Sequence, residues 1–405
     1  MTRGIAVVAV AAVVAGVASR VPAAEPIEQA TAGVATLAWN LVRASGSGNA
    51  IVSPASVWEA LAMTHAGARG ETAGEMAHVL GMPDDRDAIA TAAESLRTLF
   101  AEAKGEKVVL DTANRIWVQK EKPLEDEFIA LLADRYAAGA GIVDFVGAAE
   151  AARAEINAWV GDHTARKIPE LLTAGAITPL TRLVLTNAVY LKAPWATPFE
   201  KDATRPQPFH PAGAGPFDVP FMHRSGRLVA AKVGAGPTAA TVCEIPYAGD
   251  RLAMLVIVPD AIEGLDAVLA GLDGASLSGW RSGPLEPRPV TLALPKWTAR
   301  KPLSLNDALV TLGMQQAFAP GTADFSGIDG TRDLFVSAVV HEGFVEVAEE
   351  GTEAAAATGV AVGERSALPR PEEPLDVRAD RPFAWAVVER GTDAILFAGT
   401  VTDPR

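Results

Sequence analysis

The sequence predicts an α+β fold, built as one large domain or two ordinary ones. Three observations predict it. The 405 residues exceed what one compact core usually holds. Hydrophobic residues make up 49% and charged residues 21%, the balance of a globular chain and not of a disordered one. Helix-period patterns dominate the early part of the chain, whereas alternating and continuous apolar runs dominate later.

In chain order, Arg3 precedes an apolar run from Ile5 to Gly16, followed by small residues at Ala18, Ser19, Ala23 and Ala24. That is the layout of a secretory signal peptide over residues 1–24, cleaved near Ser19 to Ala24. The run is short for a membrane span, so the expectation is an exported chain, extracellular or periplasmic, with no membrane anchor. Pro26 to Val42 is helical, and Asn49 to Gly67 opens with a turn and continues as an apolar helix. Asp84 to Ala103 reads as an acidic, alanine-rich helix. Val108 to Val118 alternates like a strand, alanine-rich helices follow, and Leu183 to Tyr190 reads as a buried strand. Short strands and Gly/Pro turns dominate from Pro206 to Met254, and Leu252 to Val258 and Val290 to Leu294 are strong strand candidates. Arg205 to Pro216 and Gly283 to Pro289 have the composition of interdomain linkers or of surface turns. No internal repeat is visible.

The chemistry-bearing residues carry no enzyme motif. Of six histidines (His65, His78, His163, His210, His223 and His341), none has another four residues away, so a helical zinc pair is absent. There is no G-x-S-x-G elbow and no glycine-rich phosphate loop. Ser53 in IVSPAS precedes Pro54 and reads as a helix-start serine, since no base stands in a recognisable relation to it. The carboxylate pairs Asp84–Asp85 and Glu372–Glu373 lie in polar loops, where solvation is the default. Cys243 is the only cysteine, which excludes an intrachain disulfide; in TVCEIPY it reads as a buried, inert thiol. The net charge of −14, with no basic run to offset it, argues against nucleic acid and anionic polysaccharide as partners. Not an enzyme, and no metal or cofactor, is the expectation.

One stretch stands apart: EEGTEAAAATGVAVGERS, from Glu349 to Ser366. Its four alanines favour helix, yet beyond Thr358 the residues favour extended backbone. Read with a period of two, Thr352, Ala354, Ala356, Thr358, Val360 and Val362 share one face, small or apolar throughout. Glu353, Ala355, Ala357, Gly359 and Ala361 share the other, which carries the charge. The segment suits an exposed loop and also a strand inside a sheet.

That stretch resembles the hinge and reactive loop of the serpins, the serine protease inhibitor family. Other segments resemble the same family in its order. NAIVSPASVWEALAMTHAGARGETAGEM, Asn49 to Met76, looks like its turn, buried helix and glycine turn. INAWVGDHTARKIPELL, Ile156 to Leu172, is similar to the helix that lies across the main sheet. LTNAVYLKAPWATPFEKDAT and ADFSGI (Ala323 to Ile328) match further motifs, and DRPFAWAVVERGTDAILFAGTVTDP closes the chain as the family closes. The likeness runs from about residue 27 to the C-terminus.

The resemblance implies one domain over residues 25–405, with three β-sheets, about nine helices and an exposed reactive loop at about 349–380. The linker reading gives way to it. It implies a monomeric suicide inhibitor whose loop is cleaved by a protease and then enters the main sheet as a new strand. The hinge would be Glu349, Glu350, Gly351, Thr352, Glu353, Ala354, Ala355, Ala356, Ala357 and Thr358. Small inward residues there favour an inhibitor over the alternative, a non-inhibitory binding or carrier serpin. Counting Gly351 as first places the cleaved residue, the fifteenth, at Arg365, followed by Ser366. An arginine there implies a trypsin-like serine protease as partner in a covalent acyl complex. Ser53, Ser56, Asn187 and His341 match the polar cluster where strands part; Lys296 and Glu349 match an ion pair above it, with Trp195 beside them. Two departures stand out. The segment Ser366 to Asp380 is longer than usual, which leaves Leu368 and Arg370 as alternative cleavage residues. Asp84 to Lys107, where some relatives bind heparin, is acidic and mixed, so glycosaminoglycan activation is not expected.

Overall fold

A computed structural model describes residues 24–104, 107–120, 123–352 and 372–405. The expected signal peptide therefore lies outside the described residues, apart from Ala24. The helix-rich early part comprises α1 (Ala24–Ala44), β1 (Ala50–Val52), α2 (Pro54–His65), α3 (Gly70–Leu80) and α4 (Arg86–Ala103). Then come β2 (Val109–Gln119), α5 (Asp126–Tyr136), β3 (Ala140–Val143), α6 (Ala149–His163) and β4 (Leu183–Pro194). The strand-rich part runs β5 (Arg205–Phe209), β6 (Phe217–Val233), β7 (Ala240–Pro246), β8 (Leu252–Pro259), α7 (Leu265–Gly271), α8 (Ser276–Arg281), β9 (Glu286–Pro295) and β10 (Trp297–Ser304). The chain closes with α9 (Asn306–Thr311), α10 (Ser326–Asp329), β11 (Val336–Ala348), β12 (Gly351–Thr352), β13 (Leu375–Arg378), β14 (Phe383–Glu389) and β15 (Ile395–Val401). Ten α-helices appear among the described residues, against about nine expected.

Local chemistry sets several boundaries. Pro54 occupies the first turn of α2, where its missing N–H costs nothing. Asp85, not Asp84, caps α4: its side chain accepts from the Asp87 and Ala88 N–H groups. Gly81 ends α3 at φ 67°, a left-handed conformation suited to glycine.

The strands form a six-stranded sheet in the order β10-β11-β12-β4-β2-β3 and a nine-stranded network, β1-β15-β14-β8-β7-β6-β9-β13, with β5 on β6. The network divides at β6. Its first part pairs with β5 and β9, whereas Val229–Val233 pairs with β7. Three sheets result, as the resemblance implied. Two expectations need correction here. The region from Pro206 to Met254 is not made of short strands alone, because β6 is 17 residues long. Both linker candidates carry strand: β5 begins at Arg205, and β9 begins at Glu286. The prolines that suggested turns, Pro206 and Pro208, sit in β5, which pairs on one side only. An edge strand tolerates the missing donor.

The core has two main parts. Helices α1 to α4 pack their apolar sides, including Trp58, Leu61 and Ile89, with one end of the sheets. A second cluster lies between the sheets, joining Val189 and Leu191 of β4 and Val345 and Val347 of β11 to Trp385, Val387 and Phe397. Strands β4 and β11 run parallel and pair from Val336↔Leu183 to Phe344↔Tyr190. Beyond that point they separate, and β12 lies between them.

Candidate functional site

The site begins where β4 and β11 separate. After Ala348 the chain turns at Glu349–Glu350 and comes back as β12, antiparallel to both neighbours. Gly351 pairs with Ala348 and Pro194, and Thr352 with Val347 and Ala193. Gly351 has φ 151°, and a Cβ there would stand 2.2 Å from Ala193 O and 2.4 Å from Pro194 Cα. No other residue fits this backbone approach.

Polar contacts pin the turn. Lys296 Nζ lies 3.0 Å from Glu349, and Thr204 Oγ1 donates to the same carboxylate at 3.0 Å. Burial opposes ionisation of Glu349, but its backbone N–H, Lys296 and Thr204 outweigh it and hold the carboxyl below its ordinary value. Lys201 pairs with Glu350 at 2.6 Å. Trp195 Nε1 donates to Ala348 O at 2.9 Å, and its ring stacks on Tyr247 with centroids 4.5 Å apart. Tyr247 Oη meets Thr352 Oγ1 at 2.7 Å inside the core. Thr352 is 0% exposed, so the face expected to point inward does so at its first residue.

Lower in the sheet, Asn187 of β4 stands opposite His341 of β11, and the two side chains are hydrogen-bonded. Ser56 Oγ accepts from the Asn187 amide. Burial pushes His341 down to about 3, so it is neutral at physiological pH. Ser53 stands at the start of α2, as its place before Pro54 suggested. It occupies the cap position of α2, yet its side chain makes no capping bond. Its backbone N–H instead donates to His341 Nε2 at 2.9 Å.

The structure thus brings together Ser53, Ser56, Asn187 and His341 in one cluster, and Trp195, Lys296, Glu349, Gly351 and Thr352 in another. The hinge from Glu353 to Thr358, the bond between Arg365 and Ser366, and Leu368 and Arg370 lie outside the described residues. Three participants escaped the sequence reading. Asn114 joins the lower cluster, accepting from Ser56 Oγ at 2.7 Å. Its signal was available: it shares the period-two face of Leu110, Ile116 and Val118 in β2, where a polar residue faces the core. Tyr247 and Thr204 carried no local signal. Cys243 is buried in β7, and burial pushes its thiol up to about 12.

A family model described as Serpin (serine protease inhibitor) matches residues 31–404. A serine protease inhibitor of Cyanea capillata is 35% identical over 359 residues, covering 88% of this chain and 92% of its own. An uncharacterized serpin-like protein of Thermococcus kodakarensis is 38% identical, covering 89% and 82%. The crystal structure of Serpin48, a highly specific serpin in the insect Tenebrio molitor, is similar with a TM-score of 0.79 at 30% identity, covering 94% of this chain and 98% of its own.

Proposed function

The chain belongs to the serpin family, and from that premise we propose that it is an irreversible, single-use inhibitor of trypsin-like serine proteases. The protease serine attacks the Arg365 carbonyl, and the Arg365–Ser366 bond breaks. Ser366 keeps the new amine, and the protease stays as an ester on Arg365. The freed hinge then extends from Thr352 between β4 and β11.

The seat of Gly351–Thr352 carries this reading. It lies antiparallel to both neighbours at the mouth of a parallel pair. A strand continuing from it would replace one parallel pairing by two antiparallel ones, which are the more stable per residue. The 14 residues after Gly351 would span roughly 46 Å at about 3.3 Å each. That reach drags the attached protease along the sheet and distorts its oxyanion hole, on which hydrolysis of the ester depends. Small side chains at Ala354, Ala356 and Thr358 suit passage between packed strands and weigh against a carrier role. The apolar run behind Arg3 supports export, with residues 25–405 as the working domain.

Mixing the purified chain with trypsin and resolving the products on a denaturing gel tests the proposal. A covalent complex at the sum of the two masses supports it. Cleaved chain with no complex would make the protein a substrate or carrier.

A further inference from the structure

Below the hinge seat, the polar cluster extends further than the strands themselves. Asn114, Asn187 and His341 stand in register across β2, β4 and β11. The two ends of this row fix the direction of every hydrogen bond in it. The Ser53 backbone N–H can only donate, and it donates to His341 Nε2 at 2.9 Å. The proton of His341 is therefore on Nδ1 and is donated to Asn187 Oδ1. The Asn187 amide donates to Asn114 Oδ1 and Ser56 Oγ, and Ser56 donates to Asn114 Oδ1. The Asn114 amide donates to Glu59 Oε2 at 2.9 Å. A carboxylate only accepts, so when Glu59 is ionised the whole chain of donors ends on a charge. Such aligned chains polarise one another.

The connection also has a mechanical shape. Ser56 and Glu59 lie on α2, with Ser53 at its start. Ser53 holds His341 of β11, while Ser56 and Glu59 hold Asn187 of β4 and Asn114 of β2. Helix α2 is thus a clasp across the line along which a new strand would enter. We infer that Glu59, acting through Asn114, is a positioning residue that tightens this clasp and slows the parting of β4 from β11. The inference rests on the insertion reading above.

Where α2 stays with β11 through the Ser53–His341 bond, parting pulls Asn114 away from Glu59, whose side chain is only 19% exposed. The ionised carboxylate then loses a charge-assisted bond, whereas the protonated acid loses an ordinary one. Burial pushes Glu59 up to about 7, against the pull of Arg97 and Asn114. The charged and titratable groups around it are Arg97 of α4, 4.0 Å away, and Tyr136 of α5 beside Arg135. Tyr136 is raised further by burial, and His341 of β11 stays neutral. Within the row, Glu59 is the group that changes charge near neutrality.

The sign against the unfolded chain is the reverse. A carboxyl raised from 4.5 to about 7 contributes stability that is present below the unfolded value and lost as pH rises through the folded one. Ionised Glu59 therefore lowers equilibrium stability while it slows parting. A merely structural residue would move both in the same direction.

A labelled synthetic peptide of the sequence Thr352 to Arg365, incubated with the intact chain, tests this by its rate of incorporation into the sheet. In the parent, uptake is expected to be about tenfold faster at about pH 5.5 than at about pH 8, with a midpoint near neutrality. Glu59→Gln, an isosteric neutral form, should take up peptide fast at both pH values while unfolding at higher urea than the parent at the alkaline one. A flat profile in the parent, or an undiminished pH dependence in Glu59→Gln, would overturn the role of Glu59 and leave insertion standing. No uptake under any condition would overturn the insertion reading itself, and the inference with it.

Discussion

Thr352 Oγ1 and Tyr247 Oη lie 2.7 Å apart, both side chains fully buried. The first inward residue of the hinge is therefore already inside the sheet. Tyr247 stacks on Trp195, and Trp195 holds the carbonyl of Ala348 just before the turn. Insertion, on the proposed reading, would not begin by prising open a sealed sheet. It would lengthen a two-residue strand that already has a neighbour on each side.

On the proposed reading, specificity turns on Arg365. Arg365→Glu should abolish the complex with trypsin, because like charge would meet the acidic base of the protease pocket. Mass spectrometry of the peptide released from the parent should show Ser366 at its N-terminus. A peptide beginning after Leu368 or Arg370 would move the reactive bond into the lengthened segment before β13.

The cleaved form should outlast the intact one on heating. A strand inserted between β4 and β11 completes backbone hydrogen bonds on both sides and buries Val360 and Val362. Cutting the loop with a protease that is not trapped, then comparing thermal melts, measures the difference. Equal melting temperatures would remove the trapping mechanism.

The sequence made the β-strand candidates legible because buried strands announce themselves by alternation or by unbroken apolar runs, as Leu252 to Val258 does. It misjudged Arg205 to Pro216, since proline composition cannot distinguish a turn from an edge strand with a free N–H side. The inward face of Thr352 was legible through the two-periodic reading of its segment. Its anchor was not. Tyr247 reaches Thr352 across 105 positions, and nothing local in IPYAGD marks a side chain that will meet a distant hydroxyl. Asn114 was readable in principle as a polar residue on a buried face, but its four-way hydrogen bonding exists only once two strands and a helix assemble. Glu59 reads as a solvated helix glutamate until α4 and β2 close around it.

The ion pair of Lys296 and Glu349 should make the hinge turn acid-resistant. Glu349 is held below its ordinary value, so its contribution is present above the unfolded carboxyl range and lost only as pH falls through the lower folded value. Lys296 is 38% exposed, and screening keeps the pair below about 1 kcal/mol. In Lys296→Ala the acid transition of the turn should move to higher pH. Trp195 fluorescence, isolated by subtracting a Trp195→Phe variant, follows it. An unmoved transition would assign the anchoring to Thr204 and the backbone instead.

Thr352→Arg tests the entry step most directly. The native hydroxyl sits in a closed space against Tyr247, between Val347 and Ala193. An arginine there would carry a charge into a packed interior at a cost of several kcal/mol by order of magnitude, and would leave the Tyr247 hydroxyl without its partner. The hinge turn should be expelled from the sheet. Cleavage requires only Arg365 and its neighbours, which the substitution leaves unchanged. The variant should therefore be cut after Arg365 yet insert too slowly to hold the acyl-enzyme before water releases it. On a denaturing gel, the complex band should give way to cleaved chain. Glu353→Arg, one residue on and expected to face outward, should keep most of the complex. Equal trapping by both variants and the parent would show that the inward row does not start at Thr352.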